Sequence, residues 1–370
     1  SPAPMPGFST YLFDLDGTLI DTASELIAAY QKLCIELGSG EKPFDLGDVD
    51  IARMQPFQGN RHYLFERSKE TLGLLYADHF PYRQKATARG IRRSPLHETL
   101  LREGAVMGEI AGWERANWFA DNGQTPAYEY SWKRQNWFGN AAREHKAIRE
   151  NVGLYDMSSF GKIRVEGPDA EAFLNHVAAS NLSVPVGKIV YSQLLNSRGG
   201  IEADVTITRL TETAYLVVTP AATRLADQTW LRRHVGDHRV VVTDITAAEA
   251  VICVMGPKSR ALLQRVSPND FSNAANPFGT AQEIEIGMGL ARAHRVTYVG
   301  ELGWELYIPV EYMHYAYEVL AAAGAWFAIT DIFSGVCCMA RKAPPMDDAW
   351  RDLPCEFGAR HCQMQLELLA

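Results

Sequence analysis

An internal repeat constrains the fold of this 370-residue chain more than any other feature. A short apolar strand, a Gly-Pro turn and a helix occur in the same order over residues 162–177 and again over residues 251–266. Proline near a helix start suits its fixed φ and its missing N–H donor. A hairpin-like stretch follows each copy, at residues 187–219 and 291–310. The repeat predicts two α+β halves packed as a pseudo-symmetric body, and its antiparallel hairpins argue against a parallel nucleotide-binding sheet.

The first hairpin centres on Asp204. Apolar and polar residues alternate along IEADVTIT at residues 201–208, which is the period of a half-buried strand. Asp204 falls on the face opposite the apolar set, and Gly199-Gly200 supplies a bend before the strand. A lone aspartate of this kind is either a polar position on a solvated sheet face or a carboxylate that faces a ligand.

Three segments together resemble one family: GGIEADVTIT, YVGELGWEL at residues 298–306 and DMSSFGKI at residues 156–163. They resemble the folate-binding part of the glycine cleavage T-protein (aminomethyltransferase) superfamily, as it occurs in dimethylglycine and sarcosine dehydrogenases. The resemblance implies that Asp204 is the essential aspartate, both catalytic and folate-binding, and that Glu301 holds the pterin ring. Tyr191 and Tyr298 would shape the pocket. The alternative for Glu301 is a solvated acid in a hairpin turn.

The resemblance also implies a fold and cofactors. It covers residues 146–324, for which it implies an aminomethyltransferase-like folate-binding fold with tetrahydrofolate bound. In the family, flavin oxidises an N-methyl amine, and the one-carbon unit leaves as 5,10-methylenetetrahydrofolate. No G-x-G-x-x-G follows a strand here, so we expect FAD only through a further domain or a flavoprotein partner. The family's C-terminal barrel is not recognisable in residues 325–370, which stay unassigned.

The N-terminal region carries a motif of a different kind from those in the rest of the chain. Residues 9–37 read as a short apolar strand, an acidic loop and a helix, and they resemble the first motif of haloacid-dehalogenase-like phosphoglycolate phosphatases. By that resemblance Asp14 would be the nucleophile and Asp16 the general acid and base, with magnesium offsetting their charge. The partner motifs of such phosphatases are absent from the sequence that follows, and one strand with one helix cannot form a doubly wound core. We therefore expect residues 1–42 to be a phosphatase-motif fragment and linker without hydrolytic activity.

Residues 43–145 form a connecting region that resembles the central segment of the same dehydrogenases. The spacing of apolar residues predicts one helix at about residues 60–75. Aromatic residues cluster over residues 113–138, where we expect an irregular segment attached to its neighbours through large buried rings.

Composition excludes several classes of protein. The net charge is −8 and the pI about 5.7, so we expect no nucleic-acid binding, and no apolar run approaches the length of a membrane span. Six scattered cysteines and a start without a signal peptide indicate a cytoplasmic protein. The Cys-x5-His-Cys pattern that ends at Cys362 does not match zinc-finger spacing, so we predict no metal site.

Three functions remain open from the sequence. The first is a folate-dependent one-carbon transfer module of an amine dehydrogenase. The second is a magnesium-dependent phosphatase that uses Asp14 and Asp16. The third is an inactive chimeric or truncated chain.

Overall fold

The computed structural model describes residues 53–80, 83–324 and 326–327. The phosphatase-like fragment, including Asp14 and Asp16, and the cysteine-rich tail lie outside the described residues. The described chain divides into two compact units. The smaller holds residues 53–79 and 85–88, and the larger holds the remainder.

The smaller unit contains the helix that the sequence predicts at about residues 60–75. Helix α1 spans Arg61–Leu74, and the Asn60 side chain caps it by accepting a 2.8 Å hydrogen bond from the Tyr63 amide. Glu70 on this helix accepts hydrogen bonds from the Thr87 amide and hydroxyl, at 2.8 and 2.5 Å. The short segment at residues 85–88 is therefore attached to α1.

The larger unit is built from three sheets and six α-helices within the described residues. The strands are β1 Ala105–Ile110, β2 Trp113–Phe119, β3 Gly153–Asp156, β4 Gly161–Glu166, β5 Ile189–Leu195, β6 Ile201–Thr211, β7 Ala214–Thr219, β8 Val241–Asp244, β9 Glu249–Met255, β10 Ala281–Ile286, β11 Gly289–His294, β12 Gly303–Pro309 and β13 Trp326–Phe327. The helices are α2 His97–Arg102, α3 Phe138–Glu150, α4 Ala170–Val177, α5 Arg224–Arg233, α6 Ser259–Val266 and α7 Met313–Ala322.

Two of the sheets confirm the predicted repeat. The first sheet has the order β5-β6-β7-β4-β8, and the second has the order β10-β11-β12-β9-β3-β13. The first five strands of each sheet therefore occupy matching places, and the pairs among them are antiparallel. Helix α4 follows β4 as α6 follows β9, so the α+β fold with two pseudo-repeated halves is as predicted.

The Gly-Pro turns explain why glycine opens both helices of the repeat. Gly167 and Gly256 have φ values of +144° and +132°, which side-chain-bearing residues rarely adopt. A Cβ at Gly167 would lie 2.1 Å from the Arg239 carbonyl oxygen, and one at Gly256 would lie 2.3 Å from that of Asn151. Each turn thus needs both the backbone freedom and the small size of glycine.

Each repeated sheet has an outer face covered by helices and an inner face turned toward the other sheet. The outer clusters include Leu174 and Phe173 of α4 in the first half, and Leu263 of α6 in the second. A third cluster joins the inner faces, where Leu216 and Val218 of β7 pack with residues of β9 and β12. Its buried members from the second sheet are Tyr155, Val251, Cys253, Met255 and Tyr307. The space between the sheets is therefore mostly apolar core.

The aromatic region differs in part from the expectation of an irregular segment. Residues 113–119 form the regular strand β2, which pairs with β1. The irregular part follows, and its rings do pack together: Tyr128 and Tyr130 stack at 5.5 Å, and Trp137 meets Tyr128 edge-on at 5.2 Å. From Glu114 onward, buried positions alternate with partly buried ones along β2, and the sequence interpretation missed this period of two.

Candidate functional site

Asp204 lies on the inner face of the first sheet. Its neighbours in β6, Ala203 and Val205, belong to the outer cluster, so the alternation of a strand turns Asp204 toward the second sheet. The residue is partly buried, and its Oδ1 accepts a 3.3 Å hydrogen bond from Nε2 of Gln193, its partner on β5. The strand geometry therefore turns this partly buried carboxylate toward the second sheet, and its role in binding a ligand stays a prediction.

Tyr298 lies close to Asp204 in the connection between β11 and β12. Its ring centroid is 5.7 Å from that of Phe160, and the hydroxyl makes no hydrogen bond within the described part of the chain. Desolvation, followed by the charges of Glu305 and Asp204, raises the pKa of Tyr298 well above its ordinary value. Tyr298 still exposes 37% of its surface, so it combines a crowded hydroxyl with an accessible ring.

Glu305 is a buried acid that the sequence interpretation did not name. It lies on β12, is only 4% exposed, and faces the inner layer because Trp304 and Leu306 on either side belong to the outer cluster. Burial raises the pKa of Glu305 to about 7, against a hydrogen bond from Tyr307 and the charge of Lys162 that lower it. Its Oε1 has no hydrogen-bond partner among the described residues.

A polar array on the second sheet supports Glu305. The Tyr307 hydroxyl donates to Glu305 Oε2 at 2.9 Å, and the His294 ring lies 4.2 Å from the Tyr307 ring. Arg292 donates from Nε to Nε2 of His294 at 3.1 Å and pairs with Glu249 at 2.9 Å. Burial, followed by the charge of Arg292, lowers the pKa of His294 well below its ordinary value, so this histidine is neutral near pH 7.

The DMSSFGK segment, residues 156–162, also borders the layer between the two sheets. Asp156 accepts hydrogen bonds from the Ser158 amide and hydroxyl at 3.1 and 2.6 Å. The fully buried Lys162 donates to the carbonyls of Ser158 and Phe160 at 2.9 and 3.0 Å, and burial lowers its pKa to about 8. These bonds fix the loop whose Phe160 packs against Tyr298.

Glu301 has different surroundings from Asp204 and Glu305. Its carboxylate forms a half-buried ion pair with Arg149 of α3 at 2.7 Å. The next residue, Leu302, is held through its carbonyl by the Gly256 amide at 2.8 Å and the Ser259 hydroxyl at 3.0 Å. Glu301 thus anchors the turn before β12, and its role in holding a pterin stays a prediction.

Tyr191 shares the inner face of the first sheet with Asp204. It is two residues from Gln193 on β5, pairs across the ladder with Thr206, and is 46% exposed. Tyr191 is thus an accessible neighbour of Asp204, and its predicted role in shaping a pocket remains a prediction.

Other places in the described residues offer less chemistry. A surface cleft between residues 185–188 and 275–282 is lined mainly by small and apolar residues and lies outside the Asp204 and Glu305 cluster. No group of three or more metal-binding side chains occurs among residues 53–80 and 83–324. In the same part of the chain, every helix is too short or too polar to cross a bilayer.

The period of two along β12 was the signal that could have revealed Glu305. Within GWELYIP, the residues Trp304, Leu306 and Ile308 are apolar, and Glu305 and Tyr307 alternate with them. The sequence interpretation placed the ligand-facing acid in the turn. The structure shows that the acid two residues into the strand is the one buried beside Tyr298.

Fold and site together define an α+β protein whose two repeated sheets enclose acidic and aromatic side chains. A crystal structure with this fold is that of glycine cleavage system aminomethyltransferase T from Bartonella henselae. It matches with a TM-score of 0.55 at 24% sequence identity, over 66% of this chain and 62% of that one. The likeness confirms the predicted aminomethyltransferase-like fold.

The family follows from the sequence comparison. The family model of the GCVT N-terminal domain matches residues 96–341, and the chain belongs to this family. A second model, the FAD dependent oxidoreductase central domain, matches residues 39–94. Residues 43–94 of the predicted connecting region therefore do resemble a segment of FAD dependent oxidoreductases, whereas residues 96–145 fall within the GCVT match.

Curated relatives point the same way. The chain is 46% identical over 269 residues to 4-methylaminobutanoate oxidase (formaldehyde-forming) of Paenarthrobacter nicotinovorans, covering 73% of this chain and 33% of that protein. It is 31% identical to human mitochondrial sarcosine dehydrogenase, covering 80% and 36%. The chain thus spans about a third of the length of these relatives. Because the human relative is described as mitochondrial, a cytoplasmic location stays a prediction.

The resemblance of residues 9–37 to phosphatases is not supported. Both matching family models begin after Asp14 and Asp16. A phosphatase of that kind needs a sheet of several parallel strands behind its first motif. The described sheets are instead antiparallel apart from the β3–β13 pair, and they form the aminomethyltransferase-like fold.

Proposed function

We propose that this chain is a tetrahydrofolate-binding one-carbon transfer module of an enzyme that oxidises N-methylated amines. In this proposal the one-carbon unit leaves as 5,10-methylenetetrahydrofolate. The site for folate is the inner layer around Asp204, Tyr298 and Glu305. The observation that carries the proposal is the buried Glu305 carboxylate, one oxygen of which has no hydrogen-bond partner among the described residues, beside the accessible ring of Tyr298.

The side chains present suit a reduced pterin. A pterin offers several N–H donors along one edge, and carboxylate oxygens are the strongest acceptors for them. Glu305 Oε1 lacks a partner among the described residues, and Asp204 brings a second carboxylate from the other sheet. Tyr298 and Phe160 add aromatic surface. A core with a structural role alone would contain fewer buried acceptors that lack a hydrogen-bond partner, because burying such groups unsatisfied costs free energy.

The two carboxylates take different roles in this proposal. Tetrahydrofolate, when bound, supplies the nucleophilic nitrogen that accepts the one-carbon unit. Asp204, the less buried acid, orients that nitrogen and stabilises positive charge that develops during transfer. Glu305, the more deeply buried acid, holds the pterin ring. We keep Tyr191 as an accessible side chain at the edge of the site.

The oxidation step belongs to a flavin in this proposal. The matching relatives include 4-methylaminobutanoate oxidase and sarcosine dehydrogenase, and the chain spans about a third of their length. We therefore propose a flavoprotein portion or partner as the source of the one-carbon unit. Folate binding itself does not depend on that source and is tested first.

Calorimetry with folinic acid, a stable tetrahydrofolate analogue, tests the site. We expect the full chain to bind it and Asp204→Asn and Glu305→Gln each to bind about tenfold more weakly at about pH 8, because a charge-assisted hydrogen bond becomes a neutral one. The comparison variant is Glu301→Gln, which tests the competing sequence prediction that this carboxylate, four residues before Glu305, holds the pterin. Because Glu301 is already paired with Arg149, the affinity of the Glu301→Gln variant for folinic acid should stay within about twofold of that of the wild type.

The variants separate the possible failures. Absence of binding by the wild type would contradict the proposed function. Binding that is weakened by Glu301→Gln and unaffected by Glu305→Gln would move the site to the turn before β12. Equal affinity of the wild type and a folded Asp204→Asn would remove Asp204 from the site.

A further inference from the structure

The two carboxylate oxygens of Glu305 differ in their hydrogen bonding. Oε2 accepts the hydroxyl of Tyr307 at 2.9 Å, whereas Oε1 is without a partner among the described residues. Glu305 and Tyr307 are two residues apart on β12 and therefore project from the same face of the strand. The hydroxyl thus restrains a carboxylate that would otherwise rotate about its side-chain bonds.

Tyr307 is itself held in place from the adjacent strand. It is 2% exposed, with the His294 ring 4.2 Å away and the Arg292 guanidinium 5.4 Å from its ring centroid. Arg292 is fixed in turn by Glu249 and donates to His294, which accepts through Nε2. A neutral His294 is the form that can accept this bond, because both ring nitrogens of a protonated histidine are donors. The array presents the Tyr307 hydroxyl to Glu305.

We propose that Tyr307 is a positioning residue for the folate site: it binds one oxygen of Glu305 and leaves the other directed to the pterin. The inference rests on the proposed function and assigns a role to a residue that does not itself contact the ligand. Tyr307 acts through Glu305 in two ways. It fixes the side-chain rotamer, and it favours the ionised carboxylate that can accept an N–H.

Other charged and titratable groups also influence Glu305. Cys253 faces it from β9, and Lys162 acts on it from the first sheet. Tyr298, in the β11–β12 connection, is close enough to feel the charge of Glu305, and His294 on β11 pairs with Glu305 in the strand register. Of all these groups, Tyr307 alone donates a hydrogen bond to the Glu305 carboxylate within the described residues. Its removal should therefore change Glu305 in a way that the other groups do not compensate.

Tyr307→Phe in the full chain tests this role, with Tyr215→Phe as its matched control. Tyr215 is also fully buried in a sheet, and its hydroxyl donates to the Leu182 carbonyl at 3.1 Å in the first half. We expect Tyr307→Phe to weaken folinic acid binding by about three- to tenfold at about pH 8, and Tyr215→Phe to leave it unchanged. Both variants lose one buried hydrogen bond, so a general loss of stability would affect them alike.

A second measurement needs no ligand. Carbon-13 NMR of the carboxyl signals, with the Glu305 signal identified by its loss in Glu305→Gln, follows the titration of Glu305. In Tyr307→Phe the midpoint should rise by about half a unit to one unit, because the bond that favours the ionised form is gone. In Tyr215→Phe the midpoint should not move.

The outcomes distinguish this inference from the proposed function. If the wild type binds folinic acid and Tyr307→Phe matches it in affinity and in Glu305 titration, Tyr307 has no positioning role. Equal weakening by the two tyrosine variants would also overturn the inference, since it would show a structural effect only. If the wild type does not bind, the proposed function fails, and the ligand-directed role of Tyr307 fails with it.

Discussion

The two halves of the repeat share a strand order but differ in chemistry on their inner faces. The same number of residues separates Gly167 from Leu216 and Gly256 from Glu305, so these two positions correspond. Thr208 lies opposite Leu216 in its sheet, and His294 lies opposite Glu305. Val218 likewise corresponds to Tyr307, and both belong to the cluster between the sheets. The polar array around Glu305 therefore exists in the second half alone.

The difference shows which part of a repeated fold is free to diverge. Outer faces must be apolar in both halves, because helices α4 and α6 cover them and burial of apolar surface stabilises each half. Inner-face positions tolerate polar groups where a partner or a ligand satisfies them. Asp204 and Glu305 are thus not repeats of one another. Asp204 lies on β6, which corresponds to β11, whereas Glu305 lies on β12, which corresponds to β7.

Equivalent core positions give the sharpest test that the halves are matched in packing. Leu174 and Leu263 follow their turn glycines at the same distance and are both fully buried. We expect Leu174→Ala and Leu263→Ala each to reduce the free energy of unfolding by about 2–5 kcal/mol, from lost burial and the cavity left behind. Urea unfolding measures both. A large loss in one half with little in the other would break the comparison.

Because Glu305 is a buried acid of the second half, the free energy of unfolding should depend on pH. The pKa of Glu305 is about 7 in the fold against an ordinary 4.5, so the folded protein binds more protons than the unfolded chain between these values. This contribution to stability is complete below the lower value and is lost as pH rises through the higher one. Glu305→Gln should therefore gain up to about 3 kcal/mol relative to the wild type between about pH 4 and pH 8.

Unfolding curves of both proteins across that range check the expectation. A difference between the two proteins that stays constant with pH would show that Glu305 titrates normally. A difference with the opposite sign would show that the fold favours its ionised form.

The turn glycines provide the smallest expected effect and a control within the chain. Gly167→Ala and Gly256→Ala should each cost about 1–3 kcal/mol, because alanine is strained at these φ values and its Cβ meets a backbone carbonyl. Gly199 has a positive φ of 79° but open space where a Cβ would lie. Gly199→Ala should therefore cost about 1–2 kcal/mol, from backbone strain alone.

Thermal or urea unfolding of the three glycine variants ranks these costs. Equal costs at all three positions would show that the close approach of the carbonyl oxygens at Gly167 and Gly256 is relieved by small shifts. Unequal costs at those two would show that the halves differ in rigidity at their turns.

The sequence predicted the fold well where the pattern is local. The Gly-Pro turns, the helices after them and the hairpins depend on neighbouring residues, and the two sheets confirm them. Helix α1 was predicted to within one residue at each end, whereas strand β2 was read as irregular. For the site, Asp204 and Tyr298 were named and lie close together, the buried acid Glu305 was not named, and the role of Glu301 stays a prediction.

By itself, the sequence determined the repeat, because periodicity and turn chemistry act over a few residues and can be read along the chain. The tertiary structure alone decided which acids share the inner layer. Ion pairing of Glu301 with Arg149 joins residues far apart in sequence, and burial of Glu305 depends on the second sheet facing the first. The pKa and partners of a carboxylate follow from what surrounds it in space, and a linear pattern does not specify those surroundings.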